Sequence, residues 1–504
     1  MPEPDVPLPE AYRGLDPPEV WRHFAALNAI PRPSCHEEQA RSYVLSVAAA
    51  AGAGWQQDGY GNVVVRVPAT VDGPGGPPVA LQGHLDMVCD QLPGVVQDWA
   101  SDPVRPRREG DDIYATGTTL GADNGIGASM ALAVLTTTGL RHGPLELLFT
   151  VEEEIGLKGA LALDPGMVQA RTLLNLDTES PDEIIIGSAG ARSLEVSVPL
   201  ALAPPAAGSA AWEVAVSCLR GGHSGVQIHE GQANAIKVLA ALLGAVRHEI
   251  DGLTLATIAG GSASNAIPRS AQATVVVPPA AAAAAEGAFA RGRASLIDTW
   301  LGAEPALEIA ITPATVPGES VDAAGTSSVL AMLQRLPHGV LAWSADSPGI
   351  VQTSCNLALA SMAVSNPVSA GRAALNVLLS PRSFLDGDLD GVQADVGDIA
   401  RSAGGTVTSS EAYPGWPPAL DAPLTALTRQ AYQQVYGHPP EVKVIHAGLE
   451  CGIIIAKLPG TQAVSMGPRI TSLHTPDEHV HAPSVASTWR VVVTLLELLG
   501  APQT

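Results

Sequence analysis

Short apolar segments that each end at an acid or a histidine constrain the fold of this chain more than any other feature. Residues 79–83, 145–151 and 172–176 are mostly apolar or β-branched, as buried strands are, and residues 126–135 have the composition of a buried helix. Alternating strands and helices are typical of a mostly parallel sheet that is covered by helices. The sequence therefore predicts an α/β fold with such a sheet.

Polar side chains follow the predicted strands closely, the last of them in a loop after a strand predicted at residues 463–466. They are His84, Asp86, Glu153, Glu154, Asp177 and His474. In open α/β sheets, ligands bind at the carboxyl ends of the strands. Each residue alone also fits an ordinary role, such as a solvated strand end or an acid in the first turn of a helix. Their shared placement nevertheless predicts a single functional site.

Two of these segments suit a metal ion. His84 and Asp86 point the same way if the strand continues through them, and an imidazole beside a carboxylate suits zinc or a similar ion. Asp123 lies in a glycine-rich turn before the helix, where it could cap the helix or bridge two ions. A phosphate-binding turn is the other interpretation, but neither GxGxxG nor GxxxxGK occurs.

Three adjacent carboxylates, Glu152, Glu153 and Glu154, follow the strand at residues 145–151. Adjacent carboxylates repel one another unless cations or protons compensate their charge. A helix N-terminus would explain one acid more readily than three. This cluster therefore supports a cation site.

The domain organisation follows from a break in the pattern. The 504 residues exceed one ordinary domain, and residues 201–211 are of low complexity, so we expect a linker nearby. Strand and helix signals of an α+β unit follow, and after a proline-rich turn the first pattern returns. The predicted boundaries are 1–190 and 411–504 for one interrupted catalytic domain and 191–410 for an inserted domain.

Composition excludes several classes of protein. The net charge of −23 repels phosphate backbones, so nucleic acid is not an expected partner. The five cysteines are scattered without a CxxC pair, which argues against a disulfide framework and a thiolate zinc site. No signal peptide is evident, and no window approaches the run of ~18 apolar residues that is needed to span a membrane. We therefore expect a cytoplasmic protein without a membrane partner.

The whole set of motifs resembles the co-catalytic dizinc peptidase and deacylase family that includes carboxypeptidase G, aminoacylase and carnosinase. The similarity is greatest to its aminoacyl-histidine dipeptidase branch, and it covers nearly the whole chain. The motifs that carry it are GHLDMV, LGADNGIG, EEEIG, NLDTE, LRGGHSG, GGSASNAIPR, YPGWPP, HAGLECG and the His474 loop. Several long motifs in one order are more specific than any one of them.

The resemblance implies a role for each residue of the predicted site. Two divalent ions, zinc or alternatively cobalt or manganese, would be bound by His84 and Asp177, by Glu154 and His474, and by a bridging Asp123. Asp86 would orient His84, and Glu153 would be the general base for a metal-bridged water. Glu152 stands where the family commonly has Asp. The Ile155-Gly156 that follows supports this assignment of Glu153 as the base and Glu154 as the ligand. The alternative is that both roles are shifted by one residue.

The resemblance also implies that the inserted segment is a lid domain, which forms homodimers in some family members. His223 would polarise the scissile carbonyl, Asn265 and Arg382 would bind the substrate carboxylate, and Glu450 would lie near the free amine. A turn histidine, a loop amide and a surface cation are the ordinary alternatives for the first three residues.

The activity that the resemblance implies is hydrolysis of dipeptides, either broadly or with a preference for Xaa-His substrates of the carnosine type. Two alternatives lie within the family, namely an aminotripeptidase and an N-acyl amino acid deacylase. A third alternative is a relative that binds metal or peptide without catalysis.

Overall fold

The computed structural model describes residues 8–70, 76–345, 349–364 and 372–500. The chain divides into two compact units, of which the first comprises Met1–Ser188, Trp416–Val444 and Leu449–Thr504 and the second comprises Ala189–Gly415 and Ile445–Gly448. The low-complexity segment at residues 201–211 lies inside the second unit, and the division between the units falls at Ser188 and Ala189. The segment contains a turn, because Pro204 and Pro205 interrupt the strands on either side.

The first part of the chain forms four helices and eight strands among the described residues. The helices are α1 (Pro18–Asn28), α2 (Glu38–Ala50), α3 (Ala122–Thr136) and α4 (Lys158–Ala162). The strands are β1 (Gly54–Gln57), β2 (Val63–Val67), β3 (Val79–His84), β4 (Pro106–Glu109), β5 (Asp112–Ala115), β6 (Leu145–Thr150), β7 (Thr172–Asn175) and β8 (Glu183–Ser188).

The middle of the chain is richer in strands. Its strands are β9 (Gly190–Ala203), β10 (Ala210–Ser217), β11 (Gly222–His223), β12 (Thr254–Gly260), β13 (Ala266–Ile267), β14 (Ala271–Val277), β15 (Glu308–Ala314), β16 (Ser320–Val321), β17 (Gly339–Trp343), β18 (Val351–Val364), β19 (Arg372–Ser383) and β20 (Thr406–Tyr413). Its helices are α5 (Ala235–Glu249), α6 (Ala282–Trp300), α7 (Ala323–Arg335) and α8 (Asp386–Ser402).

The last part of the chain returns to alternating helices and strands. The helices are α9 (Pro423–Tyr436), α10 (Glu450–Lys457) and α11 (Ala482–Gly500), and the strands are β21 (Glu441–Ile445), β22 (Gln462–Ser465), β23 (Ile470–Thr471) and β24 (His479–His481).

The main sheet of the first unit has the order β1-β2-β6-β3-β7-β22-β8-β21. Its four central strands, from β6 to β22, are parallel, whereas β1, β2 and β8 pair antiparallel with their neighbours. The predicted α/β class is therefore confirmed, with the parallel part confined to the centre of a mixed sheet. Parallel central strands place their carboxyl ends at one edge, which is the edge that carries the predicted site.

Helix α3 packs on this sheet and is buried almost all round, which explains its nearly continuous apolar sequence. Gly127 lies where a Cβ atom would come within 2.3 Å of the Leu176 carbonyl oxygen. Only glycine allows the helix to approach the end of β7 this closely.

The second unit is built on an antiparallel sheet with the order β15-β10-β14-β12-β18-β19-β9-β16, to which β17 and β20 also pair. It has its own apolar core, formed by alternate residues of the strands and by the inner faces of α5 and α7. Asn234 caps α5 by accepting hydrogen bonds from the backbone N–H groups of Ile236 and Lys237. This arrangement is α+β.

Helix α11 is long and apolar enough, by length and composition alone, to cross a membrane. Half of its most apolar window is buried within the protein, where Val485, Val492 and Leu496 join the core of the first unit. Arg490 and Glu497 interrupt the apolar run. The core helices of globular proteins pass the same test, so this feature is weak support for a membrane span.

Candidate metal centre

The predicted polar residues of the first unit converge at the carboxyl edge of its sheet. His84 ends β3, Glu153 and Glu154 follow β6, and Asp177 follows β7. Because β6, β3 and β7 are adjacent and parallel, their ends meet there. The loop between β23 and β24 adds His474.

His84 forms one half of the centre. Its Nε2 atom lies 3.1 Å from Asp123 Oδ1 and 3.5 Å from Asp177 Oδ1. Its Nδ1 atom lies 3.1 Å from the backbone oxygen of Asp86, and since a carbonyl can only accept, Nδ1 carries the proton that is donated. In the neutral ring, Nε2 is then the nitrogen that is free to bind a metal.

His474 forms the other half. Its Nε2 atom lies 3.2 Å from Asp123 Oδ2 and 3.1 Å from Glu154 Oε2. The two oxygens of Asp123 therefore face two different histidines, each of which is accompanied by a second carboxylate. This symmetry is the geometry that a bridging carboxylate requires.

Asp86 is completely buried, and its side chain ties several segments together. It accepts hydrogen bonds from Ser34 Oγ at 2.7 Å and from the backbone N–H groups of Glu153 at 3.0 Å and Glu154 at 3.1 Å. Its Oδ1 atom also lies 3.4 Å from His84 Nδ1. Both oxygens of Asp86 are occupied by these contacts, which connect it to His84 and to the backbone of Glu153 and Glu154.

The three adjacent glutamates have different environments. Glu152 Oε2 accepts a hydrogen bond from the Tyr60 hydroxyl at 2.9 Å and lies 4.0 Å from Lys158 Nζ. Glu154 contacts His474, whereas Glu153 interacts electrostatically with His84 and Asp177. Only the last two glutamates therefore belong to the His84–His474 cluster.

Asp123 departs from helical geometry although it lies in the first turn of α3, with φ −79° and ψ 115°. Gly121 precedes it in the left-handed region, with φ 68°. A Cβ atom at Gly121 would come within 2.5 Å of the Arg32 guanidinium. The glycine-rich turn thus serves to bring backbone and side chains close around Asp123.

Electrostatic interactions in the centre are strong. Although burial lowers the pKa of His84, the Asp177, Asp123 and Asp86 carboxylates raise it well above the usual value. Hydrogen bonds to Asp123 and Glu154 raise the pKa of His474 to about 11. These carboxylates therefore require positive charge, which protonated imidazoles or a bound cation would supply.

The donor set fits divalent metal ions. Nitrogen and oxygen atoms of His84, Asp123 and Glu154 lie within 4.8 Å of one another. Glu154 Oε1 is buried and has no hydrogen-bond partner, which is costly for a carboxylate oxygen unless a cation binds it. Imidazole and carboxylate ligands suit zinc, and they also accept cobalt or manganese.

Three predicted substrate residues lie in the second unit. His223 and Asn265 line a cavity of about 350 Å³, where β11 pairs with β13. His223 Nδ1 accepts a hydrogen bond from the Gly225 N–H at 3.2 Å. Arg382 is buried on β19. The pKa of His223 is lowered first by its own burial and second by the positive charge of Arg382. The Nε atom of Arg382 has no hydrogen-bond partner.

Glu450 lies in the first unit and is completely buried at the start of α10. One carboxylate oxygen accepts hydrogen bonds from Gln82 Nε2 at 2.5 Å and Thr150 Oγ1 at 2.7 Å, and the other has no hydrogen-bond partner. Burial raises its pKa to about 7. The Glu450 side chain therefore lies against β3 and β6, where it contacts Gln82 and Thr150.

Sequence reasoning missed three residues that support the centre, namely Arg32, Ser34 and Glu478. Arg32 is completely buried and donates hydrogen bonds to backbone oxygens of the His84 and Asp123 segments. Ser34 binds Asp86, and Glu478 binds the turn before Asp123. None of the three follows a predicted strand. The one feature of the sequence that could have indicated any of them is the position of Glu478, four residues after His474.

Comparison with known proteins identifies the family of this chain. The model of peptidase family M20/M25/M40 matches residues 80–498, which span the centre and the whole second unit. The chain belongs to this family. It is therefore a metal-dependent peptidase, and the predicted family resemblance is confirmed.

Individual relatives cover nearly the whole chain. The cytosol non-specific dipeptidase of Escherichia coli is 36% identical over 487 residues, which are 97% of this chain and 99% of that protein. The crystal structure of aminoacylhistidine dipeptidase from Vibrio alginolyticus superposes with a TM-score of 0.88 at 34% identity, covering 97% and 98% of the two chains. A tripeptidase from Staphylococcus aureus, at 15% identity, shares the fold with a TM-score of 0.59 over 96% and 99% of the chains.

Proposed function

We propose that this M20 peptidase hydrolyses dipeptides, either broadly or with a preference for Xaa-His substrates, by means of two divalent metal ions. The observation that carries the proposal is the position of Asp123, whose two oxygens lie 3.1 Å from His84 Nε2 and 3.2 Å from His474 Nε2. Both dipeptidase relatives cover at least 97% of the chain, which supports the choice of a dipeptide substrate.

The ions would be bound by His84 and Asp177, by His474 and Glu154, and by Asp123 between them. When bound, they would supply Lewis acidity and make water a stronger acid at neutral pH. Zinc is the proposed metal, because imidazole nitrogens and carboxylate oxygens are its usual ligands at catalytic sites.

Glu153 is the proposed general base. It takes a proton from the attacking water and then delivers it to the leaving amine. Burial raises the pKa of Glu153 above its usual range, which makes its carboxylate a stronger proton acceptor. The Asp86 carboxylate positions Glu153 by accepting a hydrogen bond from the Glu153 backbone N–H. The Asp86 backbone oxygen keeps the proton of His84 on Nδ1.

The remaining predicted residues bind the substrate in this proposal. His223 would donate a hydrogen bond to the carbonyl oxygen from Nε2, because its Nδ1 accepts from Gly225. Asn265 and the unpaired guanidinium edge of Arg382 would bind the substrate carboxylate. Glu450 is buried, so its proposed effect on the substrate amine is electrostatic.

Several further properties belong to the same proposal. Residues 1–190 and 411–504 would form the catalytic domain, and residues 191–410 would form a lid domain that also provides a homodimer surface. A cytoplasmic location follows the name of the Escherichia coli relative. Neither nucleic acid nor membrane is a proposed partner, given the net charge of −23.

The test is a substrate panel on protein stripped of metal and then supplied with zinc, manganese or cobalt. The panel contains alanyl-histidine, β-alanyl-histidine, a non-histidine dipeptide, a tripeptide and an N-acetyl amino acid. We expect metal-dependent cleavage of the dipeptides and little cleavage of the last two. Preferential cleavage of the tripeptide or the N-acetyl amino acid would identify an aminotripeptidase or a deacylase, and metal binding without turnover would identify a non-catalytic relative.

A further inference from the structure

Glu478 makes an unusual set of contacts with the turn that carries Asp123. Its Oε2 atom accepts hydrogen bonds from the backbone N–H groups of Leu120 at 2.7 Å and Gly121 at 2.9 Å. Its Oε1 atom accepts from those of Ala122 at 2.7 Å and Asp123 at 3.3 Å. One buried side chain thus binds four consecutive backbone donors.

These four N–H groups have no hydrogen-bond acceptor within the helix. The first N–H groups of a helix lack partners within the helix, and here Gly121 and Asp123 also leave helical geometry. An anion beside the N-terminus of α3 also interacts favourably with the helix dipole. The backbone that sets the direction of the Asp123 side chain is therefore held by Glu478.

Arg32 completes the support from the other side of the turn. Its guanidinium donates to the backbone oxygens of Leu85 at 2.9 Å, Asp86 at 3.0 Å and Gly121 at 2.5 Å. It therefore joins the segment after His84 to the segment before Asp123. Arg32 and Glu478 are both buried and attract each other electrostatically.

We infer that Glu478 is a positioning residue for the metal centre, holding Asp123 where its two oxygens reach both halves of the site. This inference rests on the proposed metal-binding function. The role needs a carboxylate, because a glutamine at this position would turn an amide N–H₂ toward two backbone N–H donors. Half of the contacts would then be replaced by repulsion between donors.

The test compares Glu478→Gln with Glu146→Gln. Glu146 is a matched control because it is also a buried acid of the first unit, and it accepts backbone hydrogen bonds from Gln169 and Ala170 at 2.9 Å each. It lies at the amino end of β6, whereas the centre lies at the carboxyl end.

Two measurements separate positioning from general stability. Hydrogen exchange at the amides of residues 120–123 in metal-free protein should be at least about tenfold faster in Glu478→Gln. Its zinc affinity, measured by chelator competition, should fall about 10- to 100-fold, and the visible spectrum of its cobalt form should change. Glu146→Gln should leave all three close to wild type.

Wild-type zinc affinity and an unchanged cobalt spectrum in Glu478→Gln would overturn the inference, even with faster exchange. If that variant does not fold, Glu478→Asp replaces it. Aspartate retains the charge but is shorter, and it should fold with weakened zinc binding, whereas unaltered binding would overturn the inference. A wild-type protein that binds no metal would instead refute the proposed function, and the exchange result would still report on the hydrogen bonds.

Discussion

At the scale of single residues, neighbours in sequence have different chemical environments. Glu152 pairs with Tyr60, Glu153 is half-buried and interacts electrostatically with His84, and Glu154 contacts His474. The backbone after β6 turns sharply here, with a φ of 52° at Glu152. This turn explains why three identical side chains in a row have three different sets of contacts.

The assignment of the base predicts the behaviour of Glu153→Gln. We expect it to bind metal normally, because Glu153 is not a proposed ligand, but to lose about 10²- to 10⁴-fold in kcat, since general-base catalysis contributes that much. Steady-state kinetics and metal content by mass spectrometry check this. Glu152→Gln is the control and should change kcat only a few-fold. A larger loss in the control than in Glu153→Gln would shift the register by one residue.

Asp86 predicts a different phenotype, because it supports both a ligand and the base. In either orientation, Asp86→Asn would turn its N–H₂ group toward a backbone N–H donor, that of Glu153 or that of Glu154. We expect a loss of about 10- to 100-fold in metal affinity or activity, the usual effect of removing a group that orients ligands. Isothermal titration with zinc measures the affinity. Ser34→Ala removes one contact and should lose less, so an equal loss would contradict the proposed role of Asp86.

At the scale of elements, the site depends on how closely α3 packs against the ends of the parallel strands. Gly83 on β3 and Gly127 on α3 both lie where a Cβ atom would collide with a neighbour. Asn124 lies between them, and its side-chain N–H₂ donates to the Leu176 carbonyl at 2.6 Å. The helix therefore approaches the strands through glycines, and its first turn reaches the strand ends.

Gly127→Ala tests this close approach. The added methyl group would come within 2.3 Å of the Leu176 backbone oxygen, so one element must shift. We expect a loss of about 1–3 kcal/mol in the free energy of unfolding, as for other overpacked sites. Urea denaturation measures it. Gly391→Ala on α8 is the control, because no atom lies within 4 Å there, and it should be neutral or stabilising.

At the scale of the whole molecule, the two units have separate cores, and each unit contains a histidine whose pKa is lowered by burial. Burial lowers the pKa of His23 in the first unit to about 4, and it lowers the pKa of His338 in the second unit to about 4. Both side chains have hydrogen-bond partners in their neutral form, which are Tyr43 and Thr136 for His23 and Asn234 for His338.

These shifts predict that stability falls with acid. His23 binds a proton near pH 6.5 in the unfolded chain and only near pH 4 in the folded chain. The stabilisation is therefore complete above about pH 6.5 and is lost as pH falls toward 4. Between pH 7 and pH 5, His23 alone should account for a loss on the order of 2 kcal/mol. Urea denaturation of metal-free protein and of His23→Gln measures this. An equal pH dependence in both would contradict the assignment.

Much of the architecture and of the proposed ligand set could be predicted from the chain itself. Apolar runs predict β3, β6 and β7, and since parallel neighbours align their carboxyl ends, residues after those runs must meet. This rule places four of the proposed site residues, because each lies next to its strand in the sequence: His84, Glu153, Glu154 and Asp177.

The tertiary structure alone decided the rest, because it depends on contacts between residues far apart in the chain. The placement of Asp123 between His84 and His474, its support by Arg32 and Glu478, and the burial of Glu450 against Gln82 are of this kind. Glu478 and Ala122 are 356 positions apart, and no period or spacing relates them. A buried charge takes whichever partners the completed fold provides, so its role becomes apparent only in three dimensions.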